Sequence, residues 1–365
     1  TGANTCLVTK DIIGGMAASD GPIPVRTMAY AARLIREAKQ NEKYGLYATN
    51  PELDYERLLN RIQSVVFGMH QQLNLFDDLQ SSGVTLYERT GAARFVNPHT
   101  IETESGLRLQ GNRFIICTGG HSRTLPIPGF EYSVTHSDAW SLKKIPNSMI
   151  VVGAGATGAQ VASIFNAFGT EVSLFEVAPR ILWTEDVDVS LVVKQAFAKN
   201  GVYVLEGFDG IDLIDKRSNG IRFHYKNQGE TLFKDADLAV MAIGWMANAE
   251  GLNLRAAGVE TDRLGYIQVN EYMETNVPHI YAAGDVNGRT MLVPISSQEG
   301  YCAASNAILG RKYKSTYDLV PTGSFTDPEY AKIGLTEEQA RQDYDIVVAT
   351  VGFDIFPRSL IDGRT

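Results

Sequence analysis

The sequence predicts an α/β fold of the Rossmann type, and three observations carry that prediction. An apolar strand, MIVV, runs into GAGATG and then into the helix AQVASIFNAF, within residues 149–168. Two further apolar strands, FIICTGG (114–120) and HIYAAGDV (279–286), also end in small residues that let a ligand approach the backbone. Many of the 34 glycines cluster at such strand ends, as a nucleotide-binding α/β protein requires.

The elements follow in order. ANTCLVT (3–9) reads as a short strand, and a helix is expected over about 26–41. Leu58, Leu59, Ile62, Val65, Val66 and Met69 recur at helical spacing, so 53–82 contains a long amphipathic helix. Residues 84–118 read as short antiparallel strands closing in the buried strand FIICTGG, and PIPGFE (126–131) as a turn-rich linker. After the βαβ unit that starts at Met149, a helix is expected at 190–200, then strands through YVLE, IDLID, GIRFHY and LAVMAIG. A new segment starts at Gly265, and 320–365 reads as a third, incomplete α/β piece.

Composition narrows the function classes. A chain of 365 residues, 44% hydrophobic, sustains two or three cored domains. A net charge of −9 without a basic stripe argues against a nucleic-acid partner. There is no signal peptide and no apolar run of about 18 residues, so no membrane span is expected. The cysteines, Cys6, Cys117 and Cys302, lack metal-ligand spacing; they are expected to be buried structural thiols in a reducing cytoplasm. No metal site is expected. The chain begins without methionine, in a strand, and reads as truncated at both ends.

Gly153, Gly155 and Gly158 form G-x-G-x-x-G between a strand and a helix. The first glycine permits the turn, the second admits a pyrophosphate, and the third lets helix and strand pack closely. Glu176 lies 23 residues beyond Gly153, at the end of the next strand, where a carboxylate accepts the adenosine ribose hydroxyls and repels a 2′-phosphate. NAD is therefore expected over NADP. Arg180 is near enough to soften that preference, although a plain solvated arginine is the simpler reading. Asp285, after a buried strand and ahead of a helix, is placed to hold ribose or ribityl hydroxyls.

With these motifs in this order, the chain resembles the flavin-dependent pyridine nucleotide–disulfide oxidoreductases, the group of dihydrolipoamide dehydrogenase, glutathione reductase and mercuric reductase. The resemblance runs from the GG loop through FIICTGG, IVVGAGATG, LAVMAIG and IYAAGDV to SFTDPEYAKIGLTE, nearly the whole chain. It implies two Rossmann-like domains, with the FAD domain split around an inserted NAD domain, and a partial α+β dimerisation domain. The expected divisions are 1–143 and 265–318 for FAD, 144–264 for NAD, and 319–365 for dimerisation. By resemblance, Gly14, Gly15, Thr118, Gly119 and Asp285 contact FAD, and Gly153, Gly155, Thr157, Gly158, Glu176 and Gly244 contact NAD. The stretch around Gln298 and Glu299 would pass near the flavin, and the full-length protein would be a homodimer.

The departures matter as much as the matches. The family's two redox cysteines fall at Ala17 and Pro22, neither of which forms a thiolate. Its flavin-side lysine and glutamate are matched by Arg26 and Gln160, which are expected near the flavin N5. The acidic residue expected at the end of the first strand is Thr9. The FAD glycine loop would precede Thr1, and the His–Glu acid/base pair would follow Thr365.

Hydride transfer from NADH to flavin requires stacking and positioning, not a disulfide. The expected activity is thus FAD-dependent NAD(P)H oxidation, with electrons passed directly to a small acceptor such as a quinone. That acceptor would approach the face bearing Ala17, Asp20 and Pro22. Two alternatives stand beside it: a non-catalytic nucleotide-binding or sensor protein, and an ordinary disulfide or mercuric reductase, which the missing cysteines disfavour.

Overall fold

The computed structural model describes residues 2–16, 21–47 and 51–363. At its centre is a parallel five-stranded sheet in the order Tyr203–Glu206, Glu171–Glu176, Ser148–Val152, Leu238–Met241 and Val134–Thr135. Its middle strand is apolar beyond Ser148: Ile150 and Val151 are completely buried because both faces of the sheet are covered. On one face lies the helix Ala156–Ala167, itself packed against the helix Pro22–Ala38. On the other lies an antiparallel sheet of Gly210–Arg217, Gly220–Asn227 and Glu230–Ala236. Phe175 sits between the sheets, with Phe208, Phe223 and Tyr225 edge-on to its ring.

Phe114–Ile116 pairs in parallel with Ile280–Ala282. The five-stranded sheet is therefore inserted between two strands that meet again in space. The fold is α/β, as the motifs predict. Downstream, Thr322–Ser324 and Tyr330–Lys332 form an antiparallel hairpin, followed by the helix Glu337–Asp343, which starts in a Thr336–Gln339 capping box.

Four local expectations change. The first long helix spans Pro22–Ala38 rather than 26–41, because prolines in the first helical turn need no N–H partner. The region 53–82 holds two helices, Tyr55–Leu73 and Leu75–Ser81, separated by Asn74 in the left-handed conformation (φ 44°). Asparagine tolerates that conformation better than most residues, so periodicity alone does not reveal the break. Thr85–Tyr87 pairs in parallel with Cys6–Val8, not antiparallel, because a helical crossover joins the two. The helix expected at 190–200 begins earlier and spans Val187–Lys199.

Candidate functional site

The glycine loop separates what the fold needs from what a ligand needs. A Cβ on Gly158 would lie 1.7 Å from the Gly153 carbonyl oxygen, and one on Gly153 would lie 2.3 Å from that of Ala242. Gly153 also has φ +92°. Internal packing therefore dictates both residues. Gly155 differs: its φ is −68°, which any residue adopts, and a Cβ there meets nothing within 4 Å. The open space lies at the N-terminus of the helix Ala156–Ala167, whose unpaired N–H groups favour an anion. Thr157 sits in that helix's first turn, half-buried. Gly244, beyond the strand Leu238–Met241, has φ +105° and equally open surroundings.

Glu176 ends the neighbouring strand. Its Oε2 accepts the Ala154 N–H at 2.6 Å and its Oε1 accepts the Ala178 N–H at 2.8 Å. Each oxygen keeps capacity for a further donor. The carboxylate thus braces the glycine loop, a role the motif spacing does not disclose. Arg180 is not a loose surface cation. Its guanidinium donates to the carbonyls of Leu182 (3.0 Å) and Glu185 (2.8 Å) and to Ser190 Oγ.

A second cluster forms where Phe114–Ile116 meets Ile280–Ala282. Thr118 Oγ1 donates to the Asn248 carbonyl at 2.8 Å, and Asn248 Nδ2 donates to the Thr118 and Gly120 carbonyls. Asn248 thereby fixes the CTGG turn, and Gly119 (φ +73°) lies in it; no local signal in the sequence marks this asparagine. Asp285 is half-buried, and its carboxyl is raised above the usual range, first by burial and then by Glu299, with a bond from Ser296 opposing.

Glu299 itself is completely buried. It accepts the Gly284 N–H (2.7 Å), Asn287 Nδ2 (2.7 Å) and the Tyr317 hydroxyl (2.6 Å). Glu299 is thus an internal brace for the turn carrying Asp285, a role the sequence pattern does not disclose. Gln298 points its Nε2 to the Thr316 carbonyl.

Gly14 (φ +121°) and Gly15 (φ +61°) follow a loop anchored by the Ile13 N–H to Glu88 Oε1 at 2.7 Å. Ala17 and Asp20 lie outside the described residues. Arg26 and Gln160 are not hydrogen-bonded to each other among the described residues. The Arg26 guanidinium sits 5.4 Å from the Phe325 ring centroid, and Gln160 Nε2 donates to Ala156 O within its own helix. Thr9 donates its N–H to Tyr87 O and uses its own carbonyl to accept Thr90 Oγ1.

The thiols also differ from expectation. Only Cys302 is buried; Cys6 and Cys117 are exposed. Cys6 lies on a strand with an open face, and Cys117 opens onto the CTGG turn. Cys117 is still crowded by protein on its inner side, and this desolvation pushes its thiol up to about 11. Among the described residues no three His, Cys, Asp or Glu side chains gather in a way that suits a metal, and no helix is long and apolar enough to cross a membrane.

Comparison with known proteins agrees with this arrangement. The chain is 30% identical to a mercuric reductase of Bacillus cereus, covering all of this chain and 57% of that protein. It is 30% identical to a dihydrolipoyl dehydrogenase of Bacillus subtilis (strain 168), covering 79% of it. It thus spans about 57–66% of the length of the mercuric reductases it matches. Among solved structures, the HOCl-induced flavoprotein disulfide reductase RclA from Escherichia coli superimposes with a TM-score of 0.84 at 25% identity, over 99% of this chain and 79% of that one. The family described as pyridine nucleotide-disulphide oxidoreductase matches residues 2–300, and its dimerisation domain matches 320–365. With residues 2–300 and 320–365 both matched, the chain belongs to the pyridine nucleotide-disulphide oxidoreductase family.

Proposed function

We propose that this chain is an FAD-dependent NAD(P)H oxidoreductase that takes hydride from NADH and passes electrons directly to a small acceptor such as a quinone. The observation that carries the reading is the open space at Gly155, a glycine no neighbouring atom requires. A pyrophosphate at that helix N-terminus accounts for it. Glu176 then accepts the adenosine ribose hydroxyls and disfavours a 2′-phosphate, so NAD is preferred to NADP.

On the flavin side, Gly14, Gly15, Thr118, Gly119 and Asp285 would hold FAD, with Asp285 on the ribityl chain. The Gly119 turn suits this role because Asn248 fixes its backbone without filling the space around it. When bound, FAD supplies the two-electron acceptor for the nicotinamide hydride. Arg26 keeps a fixed positive charge on the helix that follows the GG loop, and Gln160 replaces a charged partner with a neutral one. Residues 14–26 contain no cysteine, which argues against the disulfide and mercuric chemistry named for the relatives.

The same reading divides the chain into 1–143, 144–264, 265–318 and 319–365, and makes the full-length protein a cytoplasmic homodimer.

The test is anaerobic titration of the FAD-loaded protein with NADH, following flavin absorbance. Bleaching without a long-wavelength thiolate charge-transfer band is the expected result. Dinucleotide binding with a persistently oxidised flavin would replace the enzyme reading with that of a binding protein.

A further inference from the structure

We propose that Trp183 is the outer wall of the adenosine site, selecting a dinucleotide with a free 2′-hydroxyl; this rests on the reading that Gly153–Gly158 and Glu176 hold NAD. The argument begins at Ala154, in the middle of the glycine loop. Its N–H is taken by Glu176 Oε2, and its carbonyl accepts the Leu182 N–H at 2.8 Å. The glycine loop, the ribose carboxylate and the residue preceding Trp183 therefore form one hydrogen-bonded unit.

Leu182 is held in an unusual state. Its side chain is 1% exposed and its φ is +49°, a conformation a branched apolar residue seldom adopts. Burying Leu182 in this left-handed turn drives the next side chain outward. Trp183 is 52% exposed, although an indole is costly to leave in water. The Arg180 guanidinium lies 5.1 Å from the indole centroid, so the ring is held on one side and free on the other. A flat aromatic face, one residue beyond the backbone that shares Ala154 with Glu176, suits a purine.

The cations around this rim are committed elsewhere. Arg180 commits both Nη1 donors, to Leu182 O and Ser190 Oγ, and one Nη2 donor, to Glu185 O, which ties its fork to the loop backbone. Lys332 bonds the Thr184 carbonyl and pairs with Glu185, and Lys194 pairs with Glu206. A 2′-phosphate arriving here would meet Glu176 and an indole, with no uncommitted guanidinium fork among the described residues to receive it. Arg180 thus favours NAD by bracing Trp183 instead of softening the preference.

The test uses the whole chain, with ADP-ribose and 2′-phospho-ADP-ribose as probes, read by calorimetry and tryptophan fluorescence. Wild type is expected to bind ADP-ribose with a change in fluorescence, and the phosphorylated probe at least tenfold more weakly. Trp183→Ala should weaken ADP-ribose binding about tenfold, the scale of losing one base-stacking aromatic. Trp183→Phe should keep most of the affinity and lose the part of the fluorescence change that Trp183 supplies, leaving only what Trp140 and Trp245 report. If wild type binds ADP-ribose but Trp183→Ala binds it within twofold, the wall is refuted while the NAD site stands. Failure of wild type to bind ADP-ribose at all removes the NAD site and the wall together.

Discussion

The strand Ser148–Val152 and the strands Cys6–Val8 and Phe114–Ile116 all read as short apolar runs, yet they end up in different surroundings. Ile150 and Val151 are completely buried, under a helix on one side and an antiparallel sheet on the other. Leu7 and Ile115 remain 37% and 38% exposed, in sheets of two strands each. Apolar sequence marks a strand; only the layers around it decide how much water that strand loses. The inserted five-stranded unit should therefore behave as the stable scaffold, and the two-stranded pairs as positions for ligand-facing turns.

Four experiments break or sharpen that contrast. The largest effect should come from Phe175→Ala, which empties the space between the two sheets and costs about 4 kcal/mol in a denaturant melt. Ile115→Ala should cost less than about 1 kcal/mol, because a half-exposed side chain loses little burial. Equal costs would erase the distinction between the regions.

Next, Gly158→Ala should destabilise by about 3 kcal/mol, since its Cβ overlaps the Gly153 carbonyl at 1.7 Å. Gly155→Ala should leave the melt unchanged and weaken ADP-ribose binding at least tenfold. Matching melts for the two variants would contradict the division of the loop into a packing glycine and a ligand glycine.

Glu299→Gln replaces one acceptor oxygen with an N–H facing other donors, at a cost of about 2 kcal/mol. The expected signature is a lower melting temperature together with weaker FAD retention, because the Gly284 and Asn287 bonds hold the turn of Asp285. A loss of FAD with no change in melting would instead place Glu299 in direct contact with the flavin.

The smallest effect concerns Cys117. Its thiol is raised to about 11, so the neutral form persists through pH 8 and the thiolate gains only as pH approaches that value. Alkylation at pH 8 should be slower than for a free peptide thiol and should accelerate steadily up to pH 11. Rapid labelling at pH 8, read by mass spectrometry, would show that exposure governs this thiol and crowding does not.

Much of the site was legible because its residues report local requirements. Gly153 is demanded by the positive φ of its turn and Gly158 by its contact with Gly153, five residues away, and Glu176 is marked by its place at the end of the next strand. The strands Phe114–Ile116 and Ile280–Ala282 were legible through their small-residue ends. Asn248 was not, because it meets Thr118 and Gly120 from 130 and 128 residues away. The bracing role of Glu299 was not legible for the same reason: its donors come from the 284–287 turn and from Tyr317, 12 to 18 residues away along the chain.

The sequence by itself determined the α/β class, the glycine loop, the carboxylate at the end of the next strand and the absence of cysteine from residues 14–26. These are properties of short contiguous segments, where backbone sterics and side-chain chemistry act over one strand or turn. Tertiary structure alone decided which cysteines are covered, that Thr85–Tyr87 runs parallel to Cys6–Val8, and that Arg180 braces Trp183. Each of those depends on the packing of distant segments, and burial and charge pairing are settled only once those segments meet.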